Sequence, residues 1–346
     1  MSTLSSFTEV PVIDVSALRS ADADARGRLV DQLGAAARDV GFFYVTGTNV
    51  SARLFDRLLA VTTDFFALPH EEKMGYYIGN STCHRGYVPE GEEVFSGGTV
   101  DRKEAFDTGL ELPVDDPDYL AGNPLLGPNQ WPELPGFATA VTAYYHAVLD
   151  LGRQLLSCFA LTLGQAPETF GHVVTKAPSQ LRLIHYPYDA DAQDSVGIGA
   201  HTDYECFTLL RPTAPGLEVL NGAGAWIDVP PLPGAFVINI GDMLETWTNG
   251  EFVATTHRVR KVREERYSFP LFFCVDYDTR IAPLPEFVRD GRPARPSLIA
   301  GEHLFAQTAQ SFAYLKRRIA EGKLQLPDGA LGLSSFGQEA RQRANT

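Results

Sequence analysis

Three things missing from this chain narrow its reading. It has no run of about 18 consecutive apolar residues, so no membrane-spanning helix is expected. Its four cysteines, Cys83, Cys158, Cys206 and Cys274, are scattered, with no Cys-x-x-Cys pair. That argues against a disulfide framework and for a reducing compartment. Positive charge is also scarce. Lys and Arg number 29 against 43 Asp and Glu, a net charge of −14, which disfavours nucleic acid as a partner because phosphates need basic patches. The opening MSTLSSFTEV has neither a basic stretch nor an apolar one behind it, so a cytoplasmic protein is expected. The acidic balance selects no substrate, since a basic pocket can sit within an acidic surface.

What remains is ample for a large core: 44% of the 346 residues are hydrophobic, and composition does not break sharply anywhere. One domain over 1–346 is expected, with many turns from 31 Gly and 23 Pro. Residues 8–125 read as a helical and loop region. Leu29, Leu33, Ala36, Ala37 and Val40 fall at helical spacing, as do Leu54, Leu58, Thr62 and Phe65. The stretch 80–135 reads as a loop-dominated connector able to fold over a pocket. A long helix carries Phe137, Val141, Tyr144, Val148, Leu151, Leu155 and Phe159. From 179 to 280 short β-rich runs alternate with turns: 181–188, 199–211, 216–220, 226–229, 235–240, 252–260 and 266–275. Such spacing predicts a sandwich or barrel. A last helix spans 300–322.

His201-Thr-Asp203 places an imidazole and a carboxylate two residues apart, on one face of an extended chain. His257 lies on a later β-run, 54 residues beyond Asp203, and a jelly-roll would return it to the first strand. Two imidazoles and one carboxylate can hold Fe(II) on one face of its octahedron, leaving positions for a chelating substrate and O2. Arg266 and Ser268 are again i and i+2. A planar guanidinium with a neutral hydroxyl donor suits a carboxylate. Tyr186 could add a donor from a neighbouring strand.

The series His201-Thr-Asp203, His257 and Arg266-Tyr-Ser268 resembles the Fe(II)/2-oxoglutarate-dependent oxygenases, in the subfamily with isopenicillin N synthase-like folds. Val10-Pro-Val-Ile-Asp14, Val40-Gly-Phe-Phe-Tyr-Val45 and Asn239-Ile-Gly-Asp242 add to the likeness. The resemblance implies an α+β, mainly β chain: a double-stranded β-helix (a cupin-like jelly-roll) buttressed by N-terminal, central and C-terminal helices. It implies His201, Asp203 and His257 as iron ligands, and Arg266, Ser268 and Tyr186 around 2-oxoglutarate. Its cofactors would be Fe(II) with 2-oxoglutarate and O2 as co-substrates. The implied reaction hydroxylates a small molecule, an amino acid or other small carboxylate, as 2-oxoglutarate becomes succinate and CO2. A monomer or weak homo-oligomer is expected.

Arg85-Gly-Tyr-Val-Pro-Glu-Gly-Glu-Glu93 and Arg182 are also similar to the bacterial ethylene-forming, arginine-oxidising branch. Glu205 and Cys206 depart from it, so ethylene formation does not follow. Candidate substrate contacts are Arg85, Tyr87, Glu92, Arg182, Tyr204, Phe207, Trp247 and Phe273, with Glu93 an alternative to Glu92 for an amine or guanidinium. Three alternatives stay open on the residues alone: an iron oxidase that uses no 2-oxoglutarate, a zinc hydrolase on the same triad, and a non-enzymatic binding protein.

Overall fold

The structure is a computed structural model, described over residues 5–93, 103–188, 196–260 and 263–327. The N-terminal part runs β1 (Val12–Asp14), α1 (Ala23–Asp39), β2 (Phe42–Thr46), α2 (Ala52–Phe66) and α3 (His70–Met74). Next come β3 (Gly86–Val88), β4 (Glu104–Gly109), α4 (Pro117–Leu120) and the long α5 (Phe137–Thr162). Eight core strands follow: β5 (Gln180–Tyr186), β6 (Val196–His201), β7 (Phe207–Pro212), β8 (Leu217–Leu220), β9 (Trp226–Asp228), β10 (Phe236–Ile240), β11 (His257–Arg260) and β12 (Arg266–Phe273). Helix α6 (Asp242–Trp247) interrupts them after β10. The chain closes with β13 (Arg280–Ile281), β14 (Leu298–Ile299), α7 (Ala300–Ser311) and α8 (Ala313–Ala320).

The core strands divide between two sheets, one ordered β1-β2-β10-β7-β12-β5-β4-β3 and the other β6-β11-β8-β9. Chain order shuttles between them, which is the double-stranded β-helix expected. Both faces of the large sheet are buried, so its strands are apolar almost throughout. Period-2 alternation sorts the faces. Phe42, Tyr44, Leu210 and Val237 join Ile198, Leu217, Val219 and Val259 in the cluster between the sheets. Phe43, Val45, Leu209, Ile238 and Phe269 belong to the larger cluster shared with α1, α2 and α5.

Local chemistry sets the helix ends. Asp22 caps α1 by accepting from the Asp24 and Ala25 amides, and Ser51 caps α2 through the Leu54 amide. After α1 the chain turns at Gly41, where φ is +69° and a Cβ would collide with the Val253 carbonyl, so only glycine fits.

Three expectations need correction. The 80–135 stretch is not merely a connector, because β3 and β4 pair antiparallel and extend the large sheet past β5. Their short, Gly-flanked runs hid that pairing. The run 199–211 is two strands in different sheets, and Asp203 sits in the turn between them. The last helix is two, broken at Phe312, whose backbone is extended and bridges Glu93. No helix among the described residues is long and apolar enough to cross a membrane.

Candidate active site

The metal-binding geometry follows from strand register. His257 on β11 pairs directly with His201 on β6, which brings the two ring centroids to 4.3 Å. Asp203 Oδ1 lies 3.7 Å from His201 Nε2 and 3.6 Å from His257 Nε2. One ligand atom from each of the three residues falls within 4.8 Å of the others, a grouping that could hold a metal ion.

The surroundings aim these groups. His201 Nδ1–H donates to the Gly199 carbonyl at 2.8 Å, and His257 Nδ1 meets the Thr255 carbonyl at 3.3 Å. Each ring's proton is thereby placed on Nδ1, leaving the Nε2 lone pair for the ion. Burial, then the neighbouring His257, pulls the His201 pKa down to about 4, so its ring is neutral at physiological pH. Asp203 is held below the usual carboxylate range. Burial opposes this, and the two histidines and the donors Thr208 and Asn239 outweigh it. Asn239 Nδ2 donates to Asp203 Oδ2 at 2.7 Å, and Thr208 Oγ1 donates to the same oxygen. Oδ1 is left facing the histidines.

A cavity opens beside the triad. Arg266, Ser268, Pro270 and Phe272 of β12 line it, with Ile184 and Tyr186 of β5 and Thr208 and Leu210 of β7. Even-numbered positions of these strands face inward, so Arg266 and Ser268 do share one side. Arg266 is 1% exposed. Its Nε donates to the Ala214 carbonyl at 3.1 Å, and its guanidinium carbon sits 4.7 Å from the centre of the Tyr186 ring. Nη1 is buried without a hydrogen-bond partner. Burial lowers the Arg266 pKa, with Tyr186 partly offsetting it. Among the described residues no carboxylate pairs with this buried guanidinium, and its spare donor suits an anion from outside the chain. The donor set and this spare hydrogen-bonding capacity fit Fe(II) and a dicarboxylic co-substrate.

Glu93, Lys103, Arg182 and Tyr204 also line the cavity. Arg182 Nε and Nη2 grip Asp107 at 2.7 and 2.8 Å, and Nη1 reaches both Glu93 oxygens at 3.2 and 3.1 Å. Lys103 Nζ lies 3.1 Å from Glu93 Oε2. Burial opposes ionisation of Glu93, yet Arg182 and Lys103 hold it at about 2.

Of the expected substrate contacts, Arg182 and Tyr204 therefore line the cavity, and the other six lie elsewhere. Arg85 donates to the carbonyls of Cys83, His84 and Leu125, bracing a loop. Tyr87 donates to Glu104, while Glu92 accepts from the Tyr77 hydroxyl and the Tyr314 amide. Glu93, its neighbour, takes the place at the cavity. Phe207 and Phe273 stack on each other on the helix-facing side of the large sheet, and Trp247 stacks on Phe170. The residues missed were Thr208, Asn239 and Lys103. For Thr208 a signal existed, since it shares the inward parity of Leu210.

A family model described as the N-terminal part of non-haem dioxygenases in morphine synthesis matches residues 10–134. The 2OG-Fe(II) oxygenase superfamily model matches 177–275. Across 91% of its length the chain is 34% identical to the 2-oxoglutarate-Fe(II) type oxidoreductase hxnY of Emericella nidulans, covering 94% of that protein. It is 34% identical over 89% to a homoarginine-6-hydroxylase of Oryza sativa, covering 99% of that chain. Among solved structures, a 2OG-Fe(II) oxygenase family protein of Caulobacter crescentus superposes with TM-score 0.77 at 31% identity, over 91% of this chain and 99% of the other. A full-length Neurospora crassa protein solved in complex with alpha-KG gives TM-score 0.74 at 25% identity, over 90% of this chain and 96% of the other. With triad, cavity and relatives in agreement, this chain belongs to the 2OG-Fe(II) oxygenase superfamily and is a 2-oxoglutarate-dependent dioxygenase acting on small molecules.

Proposed function

We propose that His201, Asp203 and His257 hold Fe(II), that Arg266 and Ser268 with Tyr186 hold the far carboxylate of 2-oxoglutarate, and that the prime substrate is a small molecule with a cationic end, hydroxylated against the Glu93 wall. The observation that carries this reading is the buried, unpartnered Nη1 of Arg266 in the cavity that the triad adjoins.

Each residue has a stated task. The two imidazoles present Nε2, and Asp203 presents Oδ1 while Asn239 and Thr208 fix its other oxygen. Arg266 gives a charge-assisted hydrogen bond in a desolvated site, worth roughly 1.5–3 kcal/mol. Fe(II) with 2-oxoglutarate and O2 supplies the oxidising power for C–H hydroxylation, as the co-substrate is converted to succinate and CO2. The remaining work of the protein is positioning and exclusion of water. Ile184, Ile198, Leu210, Leu217 and Val259 contribute hydrocarbon to the cavity lining.

Glu93 supports a cationic substrate: it is buried, ionised, and turned toward the cavity. The 34% identity to homoarginine-6-hydroxylases of rice and Arabidopsis thaliana agrees with a basic amino acid or amine. So does the sequence likeness to the arginine-oxidising branch.

The test is a screen of basic amino acids and amines against Fe(II)- and 2-oxoglutarate-loaded protein without oxygen, read by the visible metal-to-ligand band. A substrate should shift the band and, once air is admitted, yield succinate in proportion to product. Product without succinate would replace this reading with an oxidase that uses no 2-oxoglutarate.

A further inference from the structure

Four buried charges are linked beside the cavity: Glu93, Lys103 and Arg182 line it and Asp107 backs Arg182, all between 0% and 8% exposed. They are not equally fixed. Arg182 and Asp107 face each other across the β4–β5 ladder and are joined by two hydrogen bonds. That pair is neutral and locked by backbone register. Glu93 is pinned by Arg182 and by the backbone bridge to Phe312. Lys103 is different. Its ammonium ends a flexible four-carbon stem, and it meets Glu93 at 3.1 Å as a point charge rather than a planar fork. The ammonium is also near enough to the metal site to bear on the His201 ring.

Subtracting the locked pair leaves one carboxylate, Glu93, with the Lys103 ammonium as its counter-ion. A cationic group entering the cavity would meet a carboxylate already paired. Adding a third charge to a desolvated site is expensive, whereas exchanging one cation for another keeps the wall neutral.

We propose that Lys103 is a built-in placeholder for the substrate's cation. In the substrate-free enzyme its ammonium sits on Glu93. An incoming ammonium or guanidinium takes that place, and the lysine swings aside. Arg182, a candidate substrate contact from the sequence, is then a positioning residue that aims Glu93. The inference rests on the proposed reading that Glu93 receives the substrate. It adds that substrate affinity is set by competition with a side chain of the protein, so Lys103 tunes selectivity for basic over neutral ligands.

The experiment is calorimetric titration of the Fe(II)- and 2-oxoglutarate-loaded protein, under argon, with butylguanidinium and with butylurea, its neutral analogue of similar shape. Lys103→Met keeps the stem and removes the charge. It should tighten butylguanidinium by about tenfold or more, the scale of one buried charged hydrogen bond, and leave butylurea unchanged. Lys103→Arg should weaken butylguanidinium several-fold by holding Glu93 with a fork, which gives the opposite sign should the methionine variant fold poorly. Glu93→Gln should abolish the preference for the cation. If Glu93→Gln abolishes it but Lys103→Met does not tighten binding, the placeholder is wrong and the substrate reading stands. If Glu93→Gln leaves the preference intact, or no variant binds the cation, both fall.

Discussion

Asn239 and Thr208, from adjacent strands β10 and β7, donate to the same oxygen of Asp203. They register directly opposite one another in the ladder, so the sheet itself fixes which carboxylate oxygen is left for the metal. Asn239→Ala should weaken Fe(II) about 10- to 100-fold, the usual effect of losing a partner that orients a ligand. Circular dichroism should be unchanged, since the backbone ladder is untouched. Asp203→Ala should remove Fe(II) binding altogether. Anaerobic Fe(II) titration checks both, and an Asn239→Ala protein with native Fe(II) affinity would refute the orienting role.

Among the described residues Arg266 is a buried cation without a carboxylate partner, which is a cost to the folded protein in the absence of co-substrate. Arg266→Met should therefore leave the Tm of the ligand-free protein unchanged or higher. It should keep Fe(II) and weaken 2-oxoglutarate by about tenfold to a hundredfold. The stabilisation that 2-oxoglutarate confers on wild-type protein, about 2.7 kcal/mol at 100 times Kd, should largely disappear. Thermal melts with and without 2-oxoglutarate read both effects, and unchanged 2-oxoglutarate affinity would remove the clamp assignment.

Arg85 ties three carbonyls together at 1% exposure. Arg85→Met should destabilise the fold by roughly 2–5 kcal/mol, the range for breaking a buried hydrogen-bonded charge. KM for substrate should stay near the wild-type value at temperatures where the variant is folded. A large KM effect with native stability would return Arg85 to the substrate site.

Gly152 lies on α5 where the Phe273 ring crosses it, and a Cβ there would fall inside that ring's van der Waals surface. Glycine to alanine in a helix ordinarily gains up to about 1 kcal/mol. Here the ring cannot retreat, because it is 0% exposed and stacked 4.7 Å from Phe207. Overpacking of about 1–3 kcal/mol wins, so Gly152→Ala should lower the urea midpoint while 2-oxoglutarate affinity holds.

Glu93 has a folded pKa of about 2 against 4.5 for the free side chain. A lowered carboxylate pKa contributes stability that is fully present above the unfolded value and is lost as pH falls from about 4.5 towards 2. Glu93→Gln should flatten the acid limb of the stability profile in that window, seen in urea midpoints measured at successive pH values. An acid limb as steep as wild type would mean that the carboxyl is not held ionised by its neighbours.

Much of this site was legible in the sequence because it is written at period two. Arg266 and Ser268 are an i, i+2 pair that the extended β12 turns to one side, whereas His201 ends β6 and the turn after it, not a strand, brings Asp203 beside it. The same rule, applied further along β12, would have rejected Phe273, which lies at odd spacing from Arg266 and faces the helices. Phe207 fails beside Thr208 for the same reason. Arg85 and Tyr87 were misread because a buried polar side chain can be satisfied by carbonyls or a carboxylate far along the chain, and spacing is silent about that. Lys103 was invisible: its partner Glu93 precedes it by ten residues, with no periodic relation between them. The β3–β4 pairing was missed because β3, with three residues, carries too little pattern to stand out from loop.

The rung that sets His201 against His257 joins segments 56 residues apart. No local fragment of the chain can present both imidazoles, so a site using both needs this long-range pairing to have formed. The three proposed ligands thus come together only in the finished topology. Loading of the ion reports that β6 and β11 have met, and a variant that slips this register by one residue would forfeit the ion even with every ligand still encoded.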